Sequence, residues 1–239
     1  MYWWWYLWAI LASVMALPLA VGSSSSSTGW WGWHGGAIIP VNQTLDFRLV
    51  GNETVLHQGW RVVTNRQIRM PSGRLVDFEV VGQRGTDQAV LVLAWHRATQ
   101  TVTLVREYTP SVQQFMLGLP AGMVEDQKHD ASDAWTAARA ELLEEARLEG
   151  GIWHQLGERP TVMDKYSTTG FTVFLCIDPI AVAADRAPPR DAGEEGLEII
   201  TGVTVAELRT YIHDGNLTVV GGWAVQRALH KLKELGEIE

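Results

Sequence analysis

The chain has 239 residues, which suits one ordinary domain with extensions and leaves ample length to bury a core. It carries 19 Lys and Arg against 27 Asp and Glu, and the resulting net charge of −8 argues against nucleic-acid binding as its main role. The single cysteine, Cys176, excludes an internal disulfide and a cysteine-based zinc site.

Residues 1–22 are apolar and open with Met1-Tyr2-Trp3-Trp4-Trp5, and no Asp, Glu, Lys or Arg occurs before Asp46. A helix of this length would span roughly 33 Å, enough for a bilayer core. Three interpretations stay open: a signal peptide with a cleavage site near Ala20-Val21-Gly22, an uncleaved signal anchor, or a buried N-terminal helix. The first two predict entry into the secretory route, and the anchor predicts a membrane tether.

Residues 23–36 are rich in serine, glycine and tryptophan, a composition that predicts a flexible linker. A hydroxylated, acid-free segment behind a signal-like leader also resembles the two-part leaders of plastid proteins, so the plastid is the alternative destination. Residues 37–81 then alternate short apolar runs with turn signals, which predicts a small antiparallel sheet with Pro71-Ser72-Gly73 as a hairpin turn. This sheet has too few apolar side chains to form a core of its own, so we expect it to pack on the main domain or on a second copy of the chain.

Residues 82–239 are predicted to form the main domain, in which strands and helices alternate in an α/β fold. Apolar runs predict strands at 89–95, 101–108, 171–178 and 197–203, and we expect those at 89–95 and 171–178 to be buried. Helical patterns predict helices at 132–147, 205–212 and 223–235, the first stopped by Gly150 and Gly151.

The helix predicted at 132–147 carries three carboxylates on one face. Glu141, Glu144 and Glu145 stand at i, i+3 and i+4, so their like charges oppose helix formation by roughly 0.2–0.5 kcal/mol per pair. A bound cation would remove this conflict, and clustered oxygen ligands suit Mg²⁺, Mn²⁺ or Ca²⁺. The alternative interpretation is a solvated acidic helix face.

The stretch from Gly122 to Leu148 resembles the Nudix box, Gly-x5-Glu-x7-Arg-Glu-apolar-x-Glu-Glu-x-Gly-apolar. Gly122 matches the first glycine, and the run from Glu141 to Glu145 matches the Glu-apolar-x-Glu-Glu core. Three features depart from the pattern: Ala140 replaces the arginine, Arg147 replaces the glycine, and the interval from Gly122 to Glu141 is about four residues longer.

Two further runs, 104–110 (Leu-Val-Arg-Glu-Tyr-Thr-Pro) and 119–125 (Leu-Pro-Ala-Gly-Met-Val-Glu), resemble the ADP-ribose and ADP-sugar pyrophosphatase branch. The resemblance implies a Nudix-type α/β/α sandwich with a mixed sheet, preceded by the small antiparallel sheet, which pairs two subunits in that branch. It implies a metal-dependent hydrolase that cleaves ADP-ribose or ADP-glucose to AMP and a sugar phosphate. Thr109 replaces an arginine of the branch, which leaves Arg106 or Arg84 to bind phosphate.

The same resemblance assigns roles to the acidic residues. Mg²⁺ or Mn²⁺ would be held by Glu141, Glu144 and Glu145, with the carbonyl of Gly122. A glutamate in the loop at 184–196 would activate water, with Glu195 as the first candidate and Glu194 as the second. Without such a role, both would be solvated acidic residues.

Two other functions stay open. Ala140 favours a degenerate Nudix domain that binds a nucleotide without efficient turnover, because the arginine of the pattern orients the metal-binding glutamates. The tryptophan-rich leader favours a membrane-tethered interaction module. We expect no nucleic-acid partner, and the resemblance to the ADP-sugar branch implies a homodimer formed through the sheet at 37–81.

Overall fold

The computed structural model describes residues 46–124, 133–183, 185–190 and 192–239. All of them belong to one compact unit, residues 44–239. The leader at 1–22 and the linker at 23–36 lie outside the described residues, so their predicted roles stay predictions. Within the described part of the chain, no helix is both long enough and apolar enough to cross a membrane.

An antiparallel sheet of four strands opens the described chain. Its strands are β1 (Arg48–Leu49), β2 (Thr54–Gln58), β3 (Arg61–Arg69) and β4 (Leu75–Gln83). Strand β4 pairs along all of β3, while β1 and β2 share its other edge. The predicted turn at Pro71-Ser72-Gly73 is confirmed: it joins β3 to β4, and Gly73 adopts a φ of 84°, which favours glycine.

A mixed sheet of seven strands forms the centre of the molecule. Its strands are β5 (Gln88–His96), β6 (Thr101–Thr109), β7 (Gln114–Gly118), β8 (Ala121–Met123), β10 (Ile152–Val162), β11 (Gly170–Ile177) and β13 (Glu198–Thr204). The order along the sheet is β10-β11-β5-β6-β13, with β7 on β6 and β8 on β5. Only β5 and β11 pair in parallel. Two short strands, β9 (Leu148–Glu149) and β12 (Ile180–Ala181), pair separately.

Three helices complete the described fold: α1 (Ala134–Ala146), α2 (Val205–His213) and α3 (Val219–Glu234). Asp133 caps α1, because its side chain accepts hydrogen bonds from the Trp135 N–H at 3.0 Å and the Thr136 hydroxyl at 2.7 Å. These bonds lower the pKa of Asp133, the Thr136 bond most. Thr204 and Glu207 form a capping box at α2.

Alternate side chains of β5 enter two separate cores. Val90, Val92 and Ala94 pack against α1, in a cluster that also buries Cys176. The residues between them, such as Leu93 and Trp95, pack against α2 and α3. Since each fully buried large side chain contributes roughly 1.5–3 kcal/mol, both cores stabilise the sheet. The helices therefore cover both faces, and the predicted α/β/α sandwich with a mixed sheet and a small N-terminal sheet is confirmed.

Three details differ from the sequence prediction. Arg147, rather than the glycine pair, ends α1, because it adopts the left-handed φ of 57° and its N–H turns back to the carbonyls of Leu142 and Leu143. Helix α3 begins four residues earlier than the predicted 223, at Val219, where the Thr218 side chain caps it. Strand β10 was not foreseen, because a bulge and polar residues interrupt its alternation.

Candidate active site

Glu145 is the most deeply buried carboxylate of the predicted metal set. It lies near the end of α1 and is only 4% exposed, and its Oε2 accepts a hydrogen bond from the Ala121 N–H at 2.9 Å. The pKa of Glu145 is raised to about 9, mainly by burial and next by the charge of Glu141, whereas the Ala121 bond opposes the shift. A buried carboxylate beside other carboxylates creates a local demand for a cation or a proton.

Gly122 of β8 lies directly against Glu141. A Cβ at Gly122 would overlap the Glu141 carboxylate, so glycine lets this side chain rest against the strand in its present position. Gly122 and Glu141, which both match the Nudix pattern and are separated by a long loop in the sequence, are therefore in contact in the fold. Glu144 is half-buried on the same helix, one turn beyond Glu141.

The donor chemistry of this region fits a hard divalent cation, because carboxylate and carbonyl oxygens are the ligands that Mg²⁺ and Mn²⁺ prefer. As the side chains lie, however, no group of three or more His, Cys, Asp or Glu in residues 46–124, 133–183, 185–190 and 192–239 could hold a metal ion. Three of the predicted ligands, Gly122, Glu141 and Glu145, are neighbours, but the predicted carboxylates do not converge on one metal position.

The two candidates for the catalytic base occupy different environments. Glu194 ends a single 3-10 turn, Ala192–Glu194, and its charge raises the pKa of Glu145. Glu195 is exposed in the turn that follows. The structure thus brings Glu194, the second candidate in the sequence, near enough to Glu145 for its charge to act on that carboxyl.

Glu107 is a site residue that the sequence reasoning missed. Its charge also raises the pKa of Glu145, and burial raises its own pKa although part of the side chain stays exposed. Side chains alternate along a strand, so Glu107 shares a face of β6 with Thr103, which pairs with Ala94 on the α1 side. That alternation, applied to 101–108, was the signal that could have found it.

Arg106 and Arg84, the predicted phosphate ligands, lie elsewhere on the described surface. Arg106 alternates with Glu107, so it points to the opposite face of β6, where its Nη1 pairs with Glu198 Oε2 at 2.9 Å. Its guanidinium also lies 4.6 Å from the ring centre of Phe115. Arg84 is exposed in the turn after β4. Their roles in substrate binding stay predictions.

The arginine missing at Ala140 is not replaced by its neighbour. One position along a helix turns a side chain by about 100°. Arg139 therefore leaves the helix on another side, where its guanidinium lies over the rings of Trp135 and Trp153 at 5.7 and 5.9 Å.

Two other arginines attach the loop of Glu194 to the end of α1. Arg147 Nη1 donates to the Pro188 carbonyl, and Arg190 donates from Nη2 to the Glu145 carbonyl at 3.0 Å. Arg190 Nη1 also donates to the Leu197 carbonyl at 2.6 Å. These contacts link residues on both sides of the 3-10 turn to the helix.

The mixed sheet, with α1 on one face and α2 and α3 on the other, makes a Nudix-type fold. Among solved structures, the chain is similar to the crystal structure of an ADP compounds hydrolase, with a TM-score of 0.63 and 16% identity. The match covers 81% of this chain and 95% of that one. At this identity the likeness establishes the fold alone. No protein-family profile matches the sequence, and no curated protein does.

Proposed function

We propose that the protein is a divalent-metal-dependent hydrolase that cleaves the pyrophosphate of an ADP-sugar, ADP-ribose or ADP-glucose, to AMP and a sugar phosphate. The observation that carries the proposal is the buried Glu145, whose ionisation is opposed by the charges of Glu141 and Glu194. The fold supports it, because a similar structure is that of an ADP compounds hydrolase.

Mg²⁺ or Mn²⁺ would be held by Glu141, Glu144 and Glu145 together with the carbonyl of Gly122. When bound, such an ion screens phosphoryl oxygens and lowers the pKa of a coordinated water. We place the ion at these residues because a neighbouring positive charge would let the buried Glu145 carboxyl ionise.

The remaining steps fall to residues of the chain itself. We assign the general base to Glu194, because it is the loop glutamate whose charge reaches Glu145. Glu195 is the reserve candidate. Arg106 and Arg84 are proposed to bind phosphate, and Arg106 would first have to leave its ion pair with Glu198.

Release of AMP tests the proposal. Protein from residue 37 onward is expected to release AMP from ADP-ribose or ADP-glucose only with Mg²⁺ or Mn²⁺. Glu144→Gln should abolish release, because it replaces a charged oxygen ligand with a neutral amide. Glu158→Gln, at an exposed position of β10, is the control and should behave as wild type.

The other outcomes separate the alternatives. If the chain binds a nucleotide without hydrolysing it, the enzyme proposal is wrong and the chain is a degenerate Nudix domain, the alternative that Ala140 favours. No binding at all would favour an interaction module tethered by its leader. Ala140→Arg should raise turnover if the missing arginine limits the enzyme.

We further propose that the four-stranded sheet pairs two copies of the chain. Its strand β2 is exposed along its whole length, and Val55, Leu56 and Trp60 are 54%, 52% and 79% exposed. Light scattering should give twice the mass of one chain, and Val55→Asp should give monomers. Entry into the secretory route, or the plastid alternative, is proposed from residues 1–36 alone.

A further inference from the structure

The end of α1 and the loop that carries Glu194 share one buried connection. The last carbonyls of a helix lack partners within the helix, and Glu145 contributes one of them. Arg190 donates to that carbonyl at 3.0 Å and is itself half-buried. A cation at this end of the helix also interacts favourably with the helix dipole.

The other arm of the same guanidinium reaches the turn after Glu194. Arg190 Nη1 donates to the Leu197 carbonyl at 2.6 Å, and the Leu197 N–H donates to the Glu194 carbonyl at 3.0 Å. Leu197 is only 5% exposed, so the turn is also held by packing. Three consecutive hydrogen bonds therefore connect the backbone of Glu145 to the backbone of Glu194.

A second arginine makes this connection stiffer. Arg147 follows directly after α1, and its side chain donates to the carbonyl of Pro188, which precedes Arg190 in the same loop. Its own carbonyl accepts from the Val182 N–H at 2.8 Å, where the loop begins. The loop is thus attached to the helix end at its start, near its middle and at its close.

The connection fixes how far the loop of Glu194 lies from the end of α1, because its hydrogen bonds join one backbone to the other. A guanidinium supplies two donors in a fixed planar fork, so it can hold two carbonyls at a set separation, which a lysine ammonium cannot do.

We propose that Arg190 is a positioning residue that sets the distance between Glu194 and Glu145 by binding the carbonyls of Glu145 and Leu197. This inference rests on the proposed role of Glu194 as the base. It gives the chain a second way to order its acidic site in the absence of an arginine at Ala140. Arg190 touches neither substrate nor metal in this role.

The test compares Arg190→Gln and Arg190→Lys with Arg186→Gln in the full chain. Arg186 is the matched control, because it lies in the same loop, is exposed, and its guanidinium makes a long ion pair of 3.9 Å with Glu149. Hydrogen exchange at the Leu197 amide and the kinetics of AMP release from ADP-ribose with Mn²⁺ are both measured. Circular dichroism checks that each variant is folded.

Arg190→Gln is expected to speed exchange at Leu197 and to lower kcat by about 10–100-fold, the usual effect of losing an outer support of a site, with KM nearly unchanged. Arg190→Lys should fall between this variant and wild type, and it serves as the test variant if Arg190→Gln does not fold. Arg186→Gln should match wild type in both measurements.

Unchanged exchange at Leu197 in both Arg190 variants would overturn the proposal. So would faster exchange with full kcat, because the connection would then exist without positioning the base. A wild-type chain that cleaves no nucleotide refutes the proposed function instead, and hydrogen exchange still decides whether Arg190 ties the loop to α1.

Discussion

The two faces of the seven-stranded sheet are packed in different ways. On the α3 side, large side chains such as Leu93, Trp95 and Leu104 are fully buried in an apolar cluster. On the α1 side, small residues of the helix, Ala137 and Ala138 among them, are completely buried against the sheet. Small side chains let a helix approach its strands closely, and this close approach places carboxylates against the backbone of β8. Both faces therefore stabilise the fold, and the α1 face also places the site.

The largest effect should come from the apolar face. Leu93→Ala is expected to lower the free energy of unfolding by about 2–5 kcal/mol, because it removes a fully buried side chain and leaves a cavity. Urea denaturation measures this loss. Metal-dependent turnover of the remaining folded protein should be unchanged, and a specific loss of turnover would show that the faces are not separate.

The next effect tests the acidic face. Gly122→Ala is expected to lower turnover by about 10–100-fold with little loss of stability, because the new methyl group displaces the flexible Glu141 carboxylate rather than backbone. Gly118→Ala is the matched control, since its Cβ would meet Val105 at an ordinary 3.6 Å. Equal turnover in both variants would contradict the close approach of β8 and α1.

The third effect is a dependence of stability on pH. The pKa of Glu145 is about 9 in the folded protein against 4.5 for the ordinary group, so the folded state holds a proton that the unfolded state releases. Without metal, this group makes the protein less stable as pH rises from about 4.5 to 9, by at most about 1.4 kcal/mol per pH unit.

Glu145→Gln isolates that contribution, because it removes the titrating group and keeps the shape. Urea denaturation in EDTA between pH 5 and 8 should show a flatter pH dependence for the variant than for wild type. Added Mn²⁺ should stabilise the wild type most at the upper end of this range. Parallel curves for the two proteins would mean that Glu145 is ionised in the folded state.

The smallest effect concerns the residue that ends α1. Arg147 adopts a left-handed conformation, which costs a residue with a side chain about 1–2 kcal/mol relative to glycine. Arg147→Gly and Arg147→Ala both lose the bond to Pro188, but only the alanine keeps the strain. Thermal unfolding should therefore rank the glycine variant about 1 kcal/mol above the alanine variant, and equal stability would remove strain as a factor.

Local signals in the sequence were sufficient for most of the central elements. Continuous apolar runs located β5 and β11 because these strands are buried on both faces, and an acidic cap located the start of α1. The spacing of Glu141, Glu144 and Glu145 placed them on one face because helix geometry is local. The pairing of Gly122 with Glu141 came from the resemblance to a known motif.

Contacts between distant parts of the chain were beyond such signals. Arg190 bonds to a carbonyl 45 residues earlier, and nothing in a loop rich in proline and alanine distinguishes it from Arg186. Strand β10 depends on its pairing with β11, because its own sequence includes Gly157 and Pro160. The choice of Glu194 over Glu195 likewise follows from the fold of the loop rather than from composition.

The burial of Cys176 has a practical consequence for measuring the distance between the loop of Glu194 and α1. Its thiol donates to the Gly150 carbonyl at 3.3 Å, and burial raises its pKa to about 12, so it stays protonated and shielded from labelling reagents. Since the sequence has no other cysteine, a new cysteine at exposed Ala192 would be the reactive thiol of the chain. With a second one on the exposed side of α1, spectroscopic probes could report the separation of loop and helix without altering a native cysteine.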